Sequence, residues 1–296
     1  MTNIWVYNLL EVTDLKQKRH KDIIMNVYHQ IRRKDCLSHK LWPHFKKGWP
    51  DTGRPVHFFW GLGDGQSAKI QECMDKYEEW WFVDTGYLTD QITRYPSPIV
   101  NNTDKTYFRI IKGGIHTNKF HVATPDRWNV LIKQGIDAEF KGWRDSGDYV
   151  LLCPSSPMVT HHINGMTQEE WRIEVTKQIE EVTKRPVVFR NKPRPGNQWW
   201  ETNIKYDLKN AWCVVTNMSL AAIDSVLNMT PAFTHQRHVA ALITSRKIEK
   251  VERPFKPGRK TVQEWLNMVA NHQFTIQEIE DGLAFDILKV QYQSDG

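Results

Sequence analysis

Short apolar runs alternate along the chain with stretches whose apolar residues recur every three or four positions. The first pattern fits buried strands and the second amphipathic helices. "NIWVYNLL" predicts an opening strand and "KRHKDIIMNVYHQIRR" a helix; "RPVHFFWGL" predicts a second strand that stops at the glycines of "GLGDG". Ile70, Cys73, Met74, Tyr77 and Trp81 then predict one helical stripe, and "WWFVDTGY" a third strand ending near Asp84 and Gly86. From Gln91 to Ala123 the pattern loosens into short extended pieces such as "TYFRII", with turn signals at Pro96, Pro98 and Gly113-Gly114.

The later pattern is more regular. "YVLLCPSS", "PVVFRNKP", "WCVVTN" and "PAFTH" predict four strands. Thr167 with Glu170 predicts a capping box ahead of a helix whose face is Trp171, Val175, Ile179 and Val182. Two further boxes, Thr261 with Glu264 and Thr275 with Glu278, predict two terminal helices. Gly142, Ser146 and Gly147 interrupt the pattern. The expected division is therefore an N-terminal domain over 1–147 and a C-terminal domain over 148–296 that carries the terminal helices. Strands alternating with helices imply an α/β fold of two Rossmann-like domains facing each other across a cleft. Ligands are expected beyond the carboxyl ends of the strands.

Composition narrows this picture. With 296 residues the chain can bury a sizeable core, and its net charge of +6 favours phosphate-rich partners. The thirteen tryptophans are expected mainly in the core, with base stacking as a minority use. Cys36, Cys73, Cys153 and Cys213 are isolated from one another and from histidines at ligand spacing, so they read as buried thiols of a reducing compartment. The N-terminus lacks a basic segment ahead of its short apolar run, and no later run is long enough to cross a membrane. A cytoplasmic protein without a membrane partner is the expectation, and the N-x-S/T triplets at Asn102, Asn217 and Asn228 then carry no glycosylation message.

Candidate chemistry lies in the loops after strands. Ser155 and Ser156 end one predicted strand, Arg190 and Lys192 the next, and Thr216, Asn217 and Ser219 lead into a helix. Hydroxyls, two cations and a helix start at one sheet edge suit a diphosphate. Equally, Ser219 can serve as an N-cap and the cations as solvated strand ends. In "GLGDG" the third glycine of a dinucleotide loop is missing, so Gly63 and Asp64 read as a turn near the cleft or as a plain strand-to-helix turn. An ionised Asp84 at the end of an apolar strand is costly unless paired or used, or else it forms a turn with Thr85 and Gly86. Arg109 and His116 read as sugar or phosphate contacts, or as surface residues. Arg32-Arg33-Lys34, Lys46-Lys47 and the Arg253 to Lys260 region could follow a nucleic-acid backbone, a role that solvated faces imitate.

The segment "CVVTNMSLAAIDSVLNMTPAF" resembles the donor-binding segment of GT-B glycosyltransferases. Asp224 stands at the acidic helix position and Pro231 at the proline, while Met229-Thr230 departs from the usual preceding glycine. Through "WWFVDTGYL", "YFRI", "RPVVFRNKP" and "EWLNMVANHQFTIQEIEDGLAF" the chain also resembles phage-encoded glycosyltransferases that act on hydroxymethylated pyrimidines of DNA. The resemblance implies transfer from a nucleoside diphosphate sugar, UDP-linked, to a hydroxyl of a 5-hydroxymethylcytosine-type base in duplex DNA, within the host cytoplasm. Asp84 would be the general base with Asp64 in reserve. Ser155, Ser156, Arg190, Lys192, Thr216, Asn217, Ser219 and Asp224 would bind the donor; Gly63, Arg109 and His116 would bind the acceptor. It implies no tightly bound cofactor, and the chain has no D-x-D signature to indicate a divalent metal. A polysaccharide or small-molecule acceptor, or a non-catalytic DNA-binding role on the same frame, stays open as an alternative.

Overall fold

The structure is a computed structural model that describes residues 26–31, 37–51, 53–88, 106–117, 125–136, 139–193, 198 and 202–293. The expected strand "NIWVYNLL", Cys36, the Arg32-Arg33-Lys34 cluster, the Asn102 triplet and the Trp199-Trp200 doublet lie outside those residues.

Strands β1 (Asn26–His29), β2 (Val56–Trp60), β3 (Glu79–Thr85) and β4 (Phe108–Lys112) join β9 (Gln273–Phe274) in one sheet of order β1-β2-β3-β4-β9. The first three strands are parallel; β4 runs antiparallel to β3, and β9 antiparallel to β4. A second, wholly parallel sheet has the order β6-β5-β7-β8, from β5 (Tyr149–Leu152), β6 (Val187–Phe189), β7 (Ala211–Val215) and β8 (Ala232–Phe233). The α/β architecture of two helix-covered sheets expected from the sequence is thus the architecture of the protein, although the first sheet is mixed where a parallel one was expected.

Alternation along the strands explains why both faces of each sheet are covered. In β3, Trp81 and Val83 enter a core with α1 (Leu37–Gly48), while Trp80 and Phe82 enter another with α2 (Gln66–Asp75). In the second sheet, Val150, Leu152, Cys213 and Val215 pack with Trp171, Val175 and Ile179 of α5 (Gln168–Glu180). Leu151 and Val214 face the other way, into a cluster shared with Ile111 of β4, Trp128 of α3 (Pro125–Lys133) and Trp265 of α8 (Arg259–Ala270). That shared cluster joins the two sheets. Each fully buried large side chain in it contributes roughly 1.5–3 kcal/mol.

Several expectations need correction. Asn26–His29 is a strand instead of part of a helix, because its side chains pack on the neighbouring strand: Tyr28 stacks on Phe58 and His29 on Phe59. The stripe from Ile70 ends with α2 at Asp75; Tyr77 is 97% exposed and Trp81 belongs to β3. The box at Thr167 forms, as does that at Thr275, but Thr261 lies inside α8, which Gly258 caps in an extended conformation. The terminal helices α9 (Ile276–Glu280) and α10 (Leu283–Gln293) pack on the first sheet, not the second. Strand β9 pairs with β4 and brings them there, and Gly48 permits the approach: a Cβ on it would lie 1.8 Å from the Ile279 carbonyl oxygen.

Candidate functional site

The second sheet reverses its strand order between β5 and β7, since β6 lies on one side of β5 and β7 on the other. Loops at such a switch point diverge and leave a crevice for a ligand. Here the loops after β5 and β7 are cross-linked. Asn217 Oδ1 accepts from the Ser155 backbone N–H at 3.0 Å and from the Ser155 hydroxyl, and Ser155 Oγ accepts from the Met218 N–H at 2.9 Å. The Asn217 amide donates to Asn164 Oδ1 (3.0 Å) at the end of α4 (Pro157–Asn164). Gln168 joins the third loop by donating to the Ser155 carbonyl and, at 3.5 Å, to Asn191 Oδ1.

The polar residues expected to hold a diphosphate therefore gather at one edge, but several serve each other. Arg190, 4% exposed, donates to Asp207 and to the Thr202 carbonyl (2.8 Å), anchoring the segment before α6 (Ile204–Leu208). Thr216 Oγ1 accepts from the Ser219 N–H at 3.1 Å, and Ser219 Oγ from the Ala221 N–H at 3.3 Å, so both hydroxyls shape the turn into α7 (Ala221–Leu227). Ser156 precedes Pro157 of α4, and its side chain makes no capping bond. Lys192 is exposed at the end of β6. Asp224 keeps solvent contact as a residue, yet the protein atoms around its carboxyl push its pKa up to about 6, against the charges of Lys205 and Arg190.

The switch-point loops abut the first sheet. Met218 packs with Phe59, Leu62, Ile70, Phe82 and Ile115, and the Ser67 hydroxyl lies 2.9 Å from His162 Nδ1 of α4. Along this seam stands Asp84, registered opposite Arg109 across β3 and β4. Its Oδ2 accepts from Arg109 at 2.8 Å and its Oδ1 from the Thr85 N–H at 2.8 Å, so the pairing occurs; the Asx-type turn with Gly86 does not, because the Gly86 N–H donates to the Tyr107 carbonyl at 2.7 Å. Arg109 is 6% exposed and sits over the rings of Phe82 and Tyr87. Gly86 lets Tyr87 enter this space, because a Cβ there would lie 2.8 Å from both Cβ and the carbonyl oxygen of Tyr107.

His116 follows the Gly113-Gly114 turn and is buried against Tyr87 and His238, ring centroids 5.5 and 4.8 Å away. Burial holds its pKa well below the ordinary histidine range, helped by His238 and Arg109. His238 is brought down to about 3, chiefly by burial. Its Nδ1 accepts from the Ala240 N–H, so Nε2 carries the proton and donates to the Ser219 carbonyl at 3.1 Å. Two neutral imidazoles thus join the first sheet to the turn after β7. Arg109 Nε and His116 Nδ1 are buried there with no hydrogen-bond partner among the described residues. Tyr107 Oη, the Gln66 amide and Arg144 Nε are buried in the same way, so what sets the seam apart is that Arg109 also pairs there with the partly open Asp84.

Asp64 and Gly63 lie apart from this group. Asp64 is exposed at φ 51°, and Gly63 offers its carbonyl to the Gln66 N–H at 3.0 Å, which is the plain turn into α2. Two residues at the seam had no place in the sequence reading, His238 and the exposed Arg237, whose charge reaches His162 and His235. Their signal is in the sequence: "THQRH" follows a strand of the parallel sheet, as do the loops of Ser155, Arg190 and Ser219. Two shallow surface hollows of about 400 Å³, one at Arg246 to Lys250 and one at Arg54, Tyr77 to Trp80 and Lys112, include no residue of the seam. Among the described residues, His57, Cys73 and Glu78 are close enough together to hold a metal ion, well away from Asp84.

No family model matches the chain, and no curated protein matches it. Among solved structures, the chain is similar to "Thermosulfurimonas dismutans KpsC, beta Kdo 2,4 transferase", at TM-score 0.48 and 14% identity over 85% of this chain and 91% of that one. It is also similar to the "beta Kdo 2,7 transferase" of the same KpsC, at TM-score 0.42 and 11% identity over 96% and 98% of the two chains. Likeness of this degree describes the general course of the chain and says nothing of residues or substrates. No helix among the described residues is long and apolar enough to cross a membrane.

Proposed function

We propose that the protein is a glycosyltransferase that moves a sugar from a nucleoside diphosphate sugar, UDP-linked, to a hydroxyl group of a hydroxymethylated pyrimidine in duplex DNA. The observation that carries the transferase reading is the seam itself. The switch-point loops of a parallel sheet meet a buried, partly unpaired Arg109 and His116 beside a carboxylate, Asp84, whose side chain is 33% exposed. The DNA acceptor rests on the net charge of +6 and on the resemblance to phage enzymes.

On this reading Asp84 takes the proton from the attacking hydroxyl. Arg109 and the Thr85 N–H each occupy one lone pair of its oxygens and leave the remaining pairs for the acceptor. Charge growing on the departing diphosphate is stabilised by Lys192 and Arg237 and by the Ser156 hydroxyl, an electrostatic role that suits exposed cations at strand ends. Ser155, Thr216, Asn217, Ser219 and Arg190 position the loops. Asp224 holds the far side of the donor site, while Gly63 and Asp64, in the plain turn into α2, take no part.

The test incubates the full chain with UDP-glucose and a duplex oligonucleotide containing 5-hydroxymethylcytosine, following UDP release and the mass of the DNA. A glucose adduct that falls at least a hundredfold in Asp84→Asn is the expected result. UDP alone should raise the melting temperature, by the equivalent of about 2.7 kcal/mol at a hundred times its Kd. UDP release without a DNA adduct removes the acceptor and keeps the transferase. Neither stabilisation nor release with any UDP-sugar removes the reading.

A further inference from the structure

The helix α2 ends in a turn of unusual construction. The Glu78 N–H donates to the Cys73 carbonyl at 2.9 Å and the Tyr77 N–H to the Met74 carbonyl at 3.2 Å, the paired bonds of a Schellman ending. The position that glycine normally fills is held by Tyr77 at φ 56°, a left-handed conformation uncommon for a side chain of that size. Folding the chain back this way sets Glu78 beside Cys73. His57 of β2 completes the group: His57, Cys73 and Glu78 each offer a ligand atom, and all three atoms lie within 4.8 Å of one another.

Two details separate this group from an ordinary ion pair. His57 Nε2 lies 3.1 Å from Glu78 Oε2, so a ring nitrogen and a carboxylate oxygen converge on the side where the Cys73 sulfur also lies. On its other side His57 Nδ1 is 3.0 Å from His29 Nε2, and His29 is itself held flat against Phe59, ring centroids 4.1 Å apart. A histidine that binds a metal through one nitrogen needs such a partner for the other, to fix the tautomer and the ring plane.

We propose that His57, Cys73 and Glu78 form a binding site for a divalent cation of the zinc class, with His29 as the positioning residue behind His57. Nitrogen, sulfur and carboxylate oxygen are the donor set zinc takes, and three protein ligands leave its fourth position to water. A thiolate and a carboxylate balance the two charges of the ion, while the charges of Lys76 and Lys69 reach His57 and His29. Tetrahedral ligand atoms at zinc bond lengths stand roughly 3.3–3.6 Å apart, so closure asks for side-chain movements of about an ångström. Binding converts the Cys73 thiol to thiolate and releases its proton to solvent. The ion enters past Glu78, one-third exposed, while the sulfur is buried. Its effect is to pin the end of α2 to β2, at the opposite end of β3 from Asp84, independently of sugar transfer.

The experiment strips the full-length protein with a chelator and titrates it with Co²⁺, reading sulfur-to-cobalt charge-transfer absorption in the near ultraviolet, then displaces the cobalt with Zn²⁺. One equivalent is expected to generate the band, and Cys73→Ser to abolish it while circular dichroism is unchanged. His29→Phe keeps the ring stack and removes the nitrogen; it should weaken binding about 10–100-fold. If Cys73→Ser fails to fold, Glu78→Gln replaces it, and at least a tenfold loss of affinity is expected there. A wild-type protein with no band, a band that persists in Cys73→Ser, or unchanged affinity in Glu78→Gln overturns the site.

Discussion

Asp84 and Arg109 face each other in register across an antiparallel strand pair, carboxylate to guanidinium at 2.8 Å. Arg109 is buried and Asp84 is partly open to solvent, so the pair has an inner cation and an outer anion. Such an arrangement fixes the carboxylate's direction without sealing it from a ligand. Asp84→Asn keeps the shape and removes the charge, leaving a buried guanidinium with a neutral partner. Because Asp84 is near the surface, the loss should be about 1–2 kcal/mol, less than for a fully buried pair. Urea denaturation measures it, and a fall in transfer far beyond that stability loss separates chemistry from folding.

Arg190 tests the opposite assignment. Its guanidinium is held by Asp207 and the Thr202 carbonyl, so Arg190→Ala should unfold at lower urea concentration, a loss of about 2–3 kcal/mol. Stabilisation of the melting temperature by UDP should persist in that variant. Arg237→Ala should show the reverse, an unchanged midpoint with weaker stabilisation by UDP. If Arg190→Ala abolishes the UDP effect at full stability, Arg190 itself contacts the diphosphate.

Acid should destabilise the protein through its buried imidazoles. His238 is depressed to about 3 and His29 to about 4, and His116 lies well below its usual value, in each case first through burial. A depressed folded-state pKa means stability that is complete above about pH 6.5 and is lost as the pH falls, because the unfolded chain takes the proton first. For fully buried His238 the loss at pH 5 is roughly 2 kcal/mol. Asp224, raised to about 6, opposes this in smaller measure between pH 4 and 6. Urea midpoints from pH 7.5 to 5 should decline, and the slope should flatten in His238→Gln. A flat wild-type profile would contradict the neutral seam.

Thr275 joins the C-terminal helices to the first sheet. Its hydroxyl accepts from the Glu278 N–H at 3.2 Å and its N–H donates to the Glu278 carboxylate at 2.8 Å, while the same carboxylate holds buried Arg127 of α3. Thr275→Ala should lower stability by about 1 kcal/mol, within the 0.5–2 kcal/mol typical of a cap. Glu278→Ala should cost about 3 kcal/mol or more, since it also leaves Arg127 unpaired. Equal effects in urea denaturation would mean that the cap alone is at stake.

Local signals were enough for much of the fold. The apolar runs around Val56, Trp81, Leu151 and Val214 form strands, and the boxes at Thr167 and Thr275 form helix starts, because a short buried run and a cap act within a few residues. Asn26–His29 has helical spacing yet is extended, because its form depends on Phe58 and Phe59, far along the chain. Candidate residues were found at strand ends, and Asp84, Arg109 and His116 do meet at one seam. His238 and Arg237 were overlooked although they also follow a strand.

By itself, the order of apolar and polar residues determined that this chain forms alternating strands and helices with polar loops at strand ends, since backbone pairing and burial periods are written in near neighbours. Only the tertiary structure decided which charges are available: Arg190 met Asp207, Asp84 met Arg109, and Cys73 met His57 and Glu78. Those encounters join distant segments, and the energy of a charge depends on what surrounds it in space, which no local pattern records.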